Sequence, residues 1–217
     1  MIVATGKEHP LHSPYPSIAT PTQKVFMPHI AIVYFSQDGT TALLAEAIAH
    51  GATQAGAQSE LLRIEESQFT GSRWKDDTVL DRLAQADAIV FGAPTFMGGV
   101  AAPFKAFADA TSQVWFHRGW VGKLAGGFTI SGSASGDKLH SLAYLSIFAA
   151  QHGMLWANWD AMPRQPDGTN RFGNFLGLAA QNPAPPGTPP ALETADAVSA
   201  DRYGRYLAAL TTRLGTR

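Results

Sequence analysis

Ile30-Ala31-Ile32-Val33-Tyr34-Phe35 runs directly into Ser36-Gln37-Asp38-Gly39-Thr40-Thr41, and the reading of this junction decides the fold. Six nearly continuous apolar residues are the pattern of a central parallel strand covered on both faces. After the polar loop, Leu44 and Ile48 fall four apart with Leu43 and Ala47 beside them, so a helix follows and ends near Gly51 or Gly56. At such a junction the free N–H groups of the first helical turn and the helix dipole favour a phosphate. The same Ser, Asp and Thr residues also suit an ordinary N-cap and turn.

The unit repeats along the chain. Leu61-Leu62-Arg63-Ile64 reads as a second strand, Asp77 or Thr78 as the cap of a helix carrying Leu80 and Leu83, and Ala88-Ile89-Val90-Phe91 as a third strand. Pro103 suits a first helical turn, and Phe104 and Phe107 form a stripe that leads to a break around Gly119 and Gly122. Phe128-Thr129-Ile130 is a fourth strand. Leu139, Leu142, Leu145 and Phe148 then keep helical spacing up to Gly153, and Met154 to Trp159 is a fifth strand. Pro163 to Pro190, rich in Gly, Pro and Asn, reads as loop before a last helix with Tyr203, Tyr206, Leu207, Leu210 and Leu214. Strands alternating with helices at this pace predict an α/β fold, a doubly wound parallel sheet with helices on both faces.

Composition sets the outer bounds. With 217 residues, 45% of them hydrophobic, the chain suffices for one sizeable α/β domain. The expected division is an N-terminal extension over 1–28, with Pro10, Pro14, Pro16, Pro21 and Pro28, and one domain over 29–217. The extension lacks periodicity and reads as a tail or as an arm packing on a neighbouring subunit. Lys and Arg number 16 against 17 Asp and Glu, a net charge of -1, which is not the basic footprint of a nucleic-acid binder. With no cysteine, thiolate metal sites and cysteine nucleophiles are excluded, so redox chemistry has to come from a cofactor. No stretch approaches the roughly 18 apolar residues of a membrane span, and the expected location is the cytoplasm.

In an open parallel sheet, ligands bind beyond the carboxyl ends of the strands, so the loops after strands one, three and four carry the search. The chain has no G-x-G, which removes the dinucleotide fingerprint, and no G-x-x-x-x-G-K-[ST] for a triphosphate. A monophosphate ligand fits better. The loop after strand three, Pro94-Thr95-Phe96-Met97-Gly98-Gly99, joins an aromatic ring and a thioether to glycines that let backbone amides approach a flat polar ring system. The loop after strand four, Ser131-Gly132-Ser133-Ala134-Ser135-Gly136, is small and polar throughout and suits backbone contact along a ring edge or an ordinary surface loop.

Together, in this order and spacing, the three loops resemble those of the flavodoxin-like NAD(P)H:quinone oxidoreductases of the tryptophan-repressor-binding-protein (WrbA) family. Phe91-Gly92-Ala93-Pro94-Thr95-Phe96 is similar to that family's second flavin loop, Trp115 with Gly122-Lys123-Leu124-Ala125 to its following segment, and Gln151-His152-Gly153-Met154 to the signature closing its fourth helix. The resemblance spans roughly Ile30 to Leu214. It implies a five-stranded sheet in the order 2-1-3-4-5, FMN held without a covalent bond, reduction by NADH or NADPH, and two-electron transfer to a quinone. It also implies a homo-oligomer, a dimer or tetramer, that completes each site. By position, Ser36, Gln37, Asp38, Gly39, Thr40 and Thr41 bind the phosphate. Pro94, Thr95, Phe96, Met97 and Gly98, with Ser131, Gly132, Ser133, Ala134, Ser135 and Gly136, bracket the isoalloxazine. His152 stands near the ring as a catalytic proton or hydrogen-bond donor, or serves as a structural histidine at a helix end. Trp115 forms an apolar wall where nicotinamide or quinone stacks, and no metal is implied.

Two departures from the family pattern carry expectations of their own. Asp38 lies inside the phosphate loop, where a carboxylate repels a phosphate, so its side chain turns outward or caps backbone amides. Asn170-Arg171-Phe172-Gly173-Asn174-Phe175 stands where the family has a Gly-rich stretch, which makes Phe172, Phe175 and Arg164 candidates for acceptor specificity. The rival to an enzyme is a flavodoxin-type electron carrier with no nicotinamide site. Such carriers dock through strongly acidic surfaces, and a net charge of -1 is not one. A scaffold that binds no flavin is the third reading.

Overall fold

The computed structural model describes residues 26–185 and 187–215. The expected extension over 1–28 therefore lies, up to residue 25, outside the described residues. In chain order the elements are β1 (His29–Tyr34), α1 (Thr40–Gln54), β2 (Gln58–Arg63), β3 (Phe69–Thr70), β4 (Arg73–Trp74), α2 (Asp77–Gln85), β5 (Ala88–Phe96), β6 (Gly99–Val100), α3 (Ala102–Ala110), α4 (Ser112–Phe116), β7 (Leu124–Ser131), α5 (Lys138–Gln151), β8 (Leu155–Trp156), β9 (Leu178–Gln181) and α6 (Thr194–Gly215).

The main sheet runs β2-β1-β5-β7-β8, with parallel pairing throughout that path. Counted over the five principal strands this is the expected order 2-1-3-4-5. The apolar run of β1 is explained by burial on both faces. Ile30, Ile32 and Tyr34 join one core layer with Leu44, Ile48, Tyr203 and Leu207 of α1 and α6, while Ala31 and Val33 join the other with Leu83, Phe104, Leu145 and Phe148 of α2, α3 and α5. Each fully buried side chain of this size contributes about 1.5–3 kcal/mol.

The fifth position departs from the expectation. Of Met154 to Trp159 only Leu155–Trp156 is strand, and it pairs with Leu124 and Ala125 at the start of β7. The other half is β9, inside the segment read as loop from Pro163 to Pro190, and it pairs with Phe128 to Ser131. Leu178-Ala179-Ala180-Gln181 has little intrinsic strand preference, so pairing with β7 rather than local sequence makes it a strand. Two smaller corrections accompany it. The N-cap of α2 is Asp76, whose carboxylate accepts from Val79 N, rather than Asp77 or Thr78. Residues 69–74 form the β3–β4 hairpin. Among the described residues no helix is long and apolar enough to cross a membrane.

Candidate functional site

Because β1, β5 and β7 are parallel, the loops that follow them emerge at one edge of the sheet. The first loop turns into α1 at Gly39, whose φ of 94° lies in the left-handed region and whose added Cβ would sit 2.9 Å from Pro190 Cγ. The N-cap is Gly39; Asp38 caps a backbone amide as expected, its Oδ1 accepting from Thr40 N at 3.2 Å, and Ser36 Oγ accepts from Ala42 N at 3.2 Å. What remains at this terminus is the Thr41 amide and the Thr40 hydroxyl. Thr40 is 1% exposed, and its Oγ1 has no hydrogen-bond partner among the described residues. A buried hydroxyl without a partner is costly unless a ligand or water supplies one. It faces the positive end of a helix dipole, where an anionic oxygen is stabilised.

A segment that the sequence offered only as loop walls this terminus. Asn182 Nδ2 donates to Asp38 Oδ2 at 3.3 Å, and Pro190 lies on Gly39. The result is a cavity of about 510 Å³ between Asp38 and Thr40 of the first loop, Gly132 of the third, and Gln181 to Pro185 with Gly187, Thr188 and Pro190.

The second loop is a two-residue hairpin. Met97 and Gly98, with φ of 48° and 79°, connect β5 to β6 in the geometry favoured by the twist of paired strands. Phe96 and Met97 are exposed at its tip, and Gly98 O is held by His140 Nδ1 at 2.6 Å. Pro94 interrupts nothing, since β1 pairs with β5 only as far as Gly92. Thr95 does not face the tip: its hydroxyl is buried in a network with Thr129 Oγ1 and Ser141 Oγ, each at 2.7 Å.

The third loop is tied down from inside by a residue the sequence reading passed over. Lys138, the first residue of α5, is 2% exposed, and its ammonium donates to Ser131 Oγ at 3.0 Å, Ser133 O at 2.8 Å and Ala134 O at 2.9 Å. Gln181 Nε2 holds the neighbouring Gly132 O at 3.0 Å. Burial pushes the Lys138 pKa below its ordinary value, Asp196 opposes that and Arg171 adds to it. Gly136 closes the turn with φ of 54°, and a Cβ there would overlap Ser131 Oγ. One signal for Lys138 was readable: a cation in the first turn of a helix runs against the dipole, so some other partner had to hold it.

The structure does not bring His152 and Trp115 to these loops. α5 starts at the loop edge and runs back along the sheet, so His152 emerges at the opposite edge, where Gly122 N donates to Gly153 O and Leu155 N to Lys123 O, just ahead of β7. There His152 is 3% exposed, packs against Trp120 with ring centroids 4.4 Å apart, and bonds Thr111 Oγ1 through Nε2 at 2.9 Å. Burial, helped by Arg118, holds its pKa down to about 4. Within this chain the enclosed imidazole has no access to the loops, which fits the structural alternative for His152 rather than the catalytic one. Trp115 is one helical turn beyond Thr111 at the same far edge, and 45% exposed. Arg118 and His117 are there too, away from the loops.

Thr40 Oγ1, the Thr41 amide and the amides of the third loop form a donor set that fits the phosphate and the polar ring edge of FMN. Among the described residues no group of three or more His, Asp or Glu is placed to hold a metal. Residues 29–162 match the family described as NADPH-dependent FMN reductase. The chain belongs to that family. It is an FMN-using oxidoreductase of flavodoxin-like fold with a nicotinamide nucleotide as its electron donor. Flavodoxin FldP of Pseudomonas aeruginosa is 40% identical over 164 residues, covering 73% of this chain and 83% of that protein. An NAD(P)H dehydrogenase (quinone) of Geobacter sulfurreducens is 33% identical over 141 residues, 58% of this chain and 70% of that one. Among solved structures, a flavodoxin, WrbA-like protein from Agrobacterium tumefaciens superposes with a TM-score of 0.66 at 34% identity, covering 86% of this chain and 98% of that one.

Proposed function

We propose that the protein passes two electrons from NADH or NADPH through FMN to a quinone or similar small acceptor. The observation that carries this reading is the walled cavity at the start of α1, where a buried hydroxyl without a partner faces the helix N-terminus. In this reading the loop Ser36, Gln37, Asp38, Gly39, Thr40 and Thr41 binds the phosphate, Ser36, Asp38 and Gly39 by shaping the turn and Thr40 and Thr41 by donating to it. Phe96, Met97 and Gly98 lie along one side of the ring and Gly132 to Gly136 along its edge, while Pro94, Thr95 and Ser131 set the loops from below. Bound FMN supplies acceptance of a hydride and its delivery to an acceptor. The protein's residues bind, orient and exclude water, and none acts as a nucleophile.

A homo-oligomer, dimer or tetramer, belongs to the same reading. Trp115, Phe116 and Val121 are exposed at the far edge, which supports a contact between copies there, and in this reading Trp115 of one copy walls the loops of another. Sedimentation of the purified protein tests this. The donor requirement fits a cytoplasmic protein.

The test of function is titration of apoprotein with FMN, then addition of NADH or NADPH with and without benzoquinone. Saturable binding, bleaching of the flavin by the nucleotide and recovery on adding quinone are expected. A second reading, an electron carrier, is favoured by the flavodoxin that is 40% identical. Binding without bleaching establishes the carrier instead, and absence of binding overturns both.

A further inference from the structure

We propose that Lys138 is a positioning residue that gives the third loop its ligand-binding shape and places one uncompensated positive charge behind it, so that the site holds reduced FMN more tightly than oxidised FMN. The proposal rests on the flavin reading given above.

The shape argument starts from three consecutive carbonyls. Gly132 O accepts from Gln181, and Ser133 O and Ala134 O accept from the Lys138 ammonium. In a planar trans peptide the N–H points opposite the C=O, and the chain has no cis peptide among the described residues. With these oxygens drawn inward, the N–H groups of Ser133, Ala134 and Ser135 are turned outward, and none of the three donates to another described group. A row of free amides along an exposed loop is a cradle for carbonyl oxygens or an anion. All three ammonium protons of Lys138 are used in making it.

The charge argument counts the groups packed around that ammonium. Arg171 forms a two-pronged pair with the buried Asp196, Nε to Oδ1 at 2.7 Å and Nη2 to Oδ2 at 2.8 Å, and Gln181 N also donates to Asp196. That carboxylate is therefore already matched, and of the charges that act on the ammonium itself, Arg171 and Asp196, the set with Lys138 carries one net positive unit, Glu193 acting on Arg171 rather than on Lys138. The ring of Phe172 packs against both cations, its centroid 4.7 Å from Lys138 Nζ and 4.3 Å from Arg171 Cζ, and covers the ammonium on that side. A charge screened from water acts at longer range than one on the surface. Two-electron reduction of an isoalloxazine adds negative charge to its pyrimidine edge, the part the outward amides suit. A fixed cation behind those amides favours the reduced form, one of the ways a protein tunes a flavin.

The experiment compares the two-electron midpoint potential and the affinity for oxidised FMN in wild type, Lys138→Met, Lys138→Arg and Arg171→Gln. Lys138→Met is expected to weaken binding of reduced FMN at least tenfold more than binding of oxidised FMN, which lowers the potential by about 30 mV or more. Lys138→Arg restores most of that difference. Arg171→Gln leaves the loop lysine in place but frees Asp196 to cancel it, so it lowers the potential as well and carries the test if Lys138→Met does not fold. A potential unchanged in every variant that folds, with FMN still bound, overturns the proposal alone. Wild type that takes up no FMN overturns the flavin reading and the proposal with it.

Discussion

The two edges of the sheet differ in what surrounds their buried polar groups. At the carboxyl edge, Thr40 Oγ1 is buried without a partner and the third loop turns three amides outward. At the amino edge, Thr111 Oγ1 bonds His152 Nε2 beneath Trp120, His152 Nδ1 and Trp120 Nε1 are buried without a partner among the described residues, and Phe148 packs edge-on to His152 with centroids 4.9 Å apart. At the carboxyl edge the unpartnered hydroxyl borders an open cavity, whereas at the amino edge the unpartnered ring nitrogens are enclosed by packed aromatic rings. Substitutions should separate accordingly, with stability changing at the amino edge and ligand affinity at the carboxyl edge.

The largest expected effect is at the amino edge. Trp120 is fully buried and contacts Phe91, Phe148 and His152, so Trp120→Ala should cost about 3–5 kcal/mol in denaturant unfolding. FMN affinity of the molecules that remain folded should be unchanged. A large loss of affinity at intact stability would erase the distinction between the edges.

Acid sharpens the same contrast. His152 has a folded pKa near 4, below its ordinary value of 6.5, so the unfolded chain binds the proton more readily than the folded one. Stability from this group is complete above about pH 6.5 and is lost as pH falls toward 4, by about 3 kcal/mol in all. Unfolding free energy measured from pH 7 to 4 should show this decline, and His152→Phe should flatten it. An equal decline in that variant would assign the acid sensitivity elsewhere.

The same contrast explains what the sequence made legible. The central strands were legible as apolar runs at β1, β5 and β7, because burial on both faces leaves a continuous signal, while their order came from the family resemblance. The first loop was readable because its hydroxyls and glycine precede a helix directly. His152 and Trp115 carried family-like motifs, but a motif states a residue type and spacing, not which edge of the sheet a helix ends on. α5 carries His152 a full helix length away from the loops. β9 escaped because it takes its role from partners distant in the chain, Phe128 to Ser131; Lys138 escaped because its partners, Ser131 to Ala134, are nearby in the chain but meet it only when the loop folds back, which no periodic pattern signals.

The smallest expected effect is the most discriminating. In Thr40→Val a methyl group replaces the one buried hydroxyl of the first loop that has no partner, at nearly constant volume. Removing an unsatisfied buried hydroxyl relieves a desolvation cost, so the apoprotein should be as stable as wild type or more stable by about 1 kcal/mol. FMN affinity should move the other way and fall about tenfold, roughly 1.4 kcal/mol, the strength of one hydrogen bond to a charged oxygen. Riboflavin, which lacks the phosphate, should bind both forms equally. A stability loss with no change in FMN affinity would place the hydroxyl in an ordinary helix cap, and the carboxyl edge would then resemble the amino edge in serving the fold.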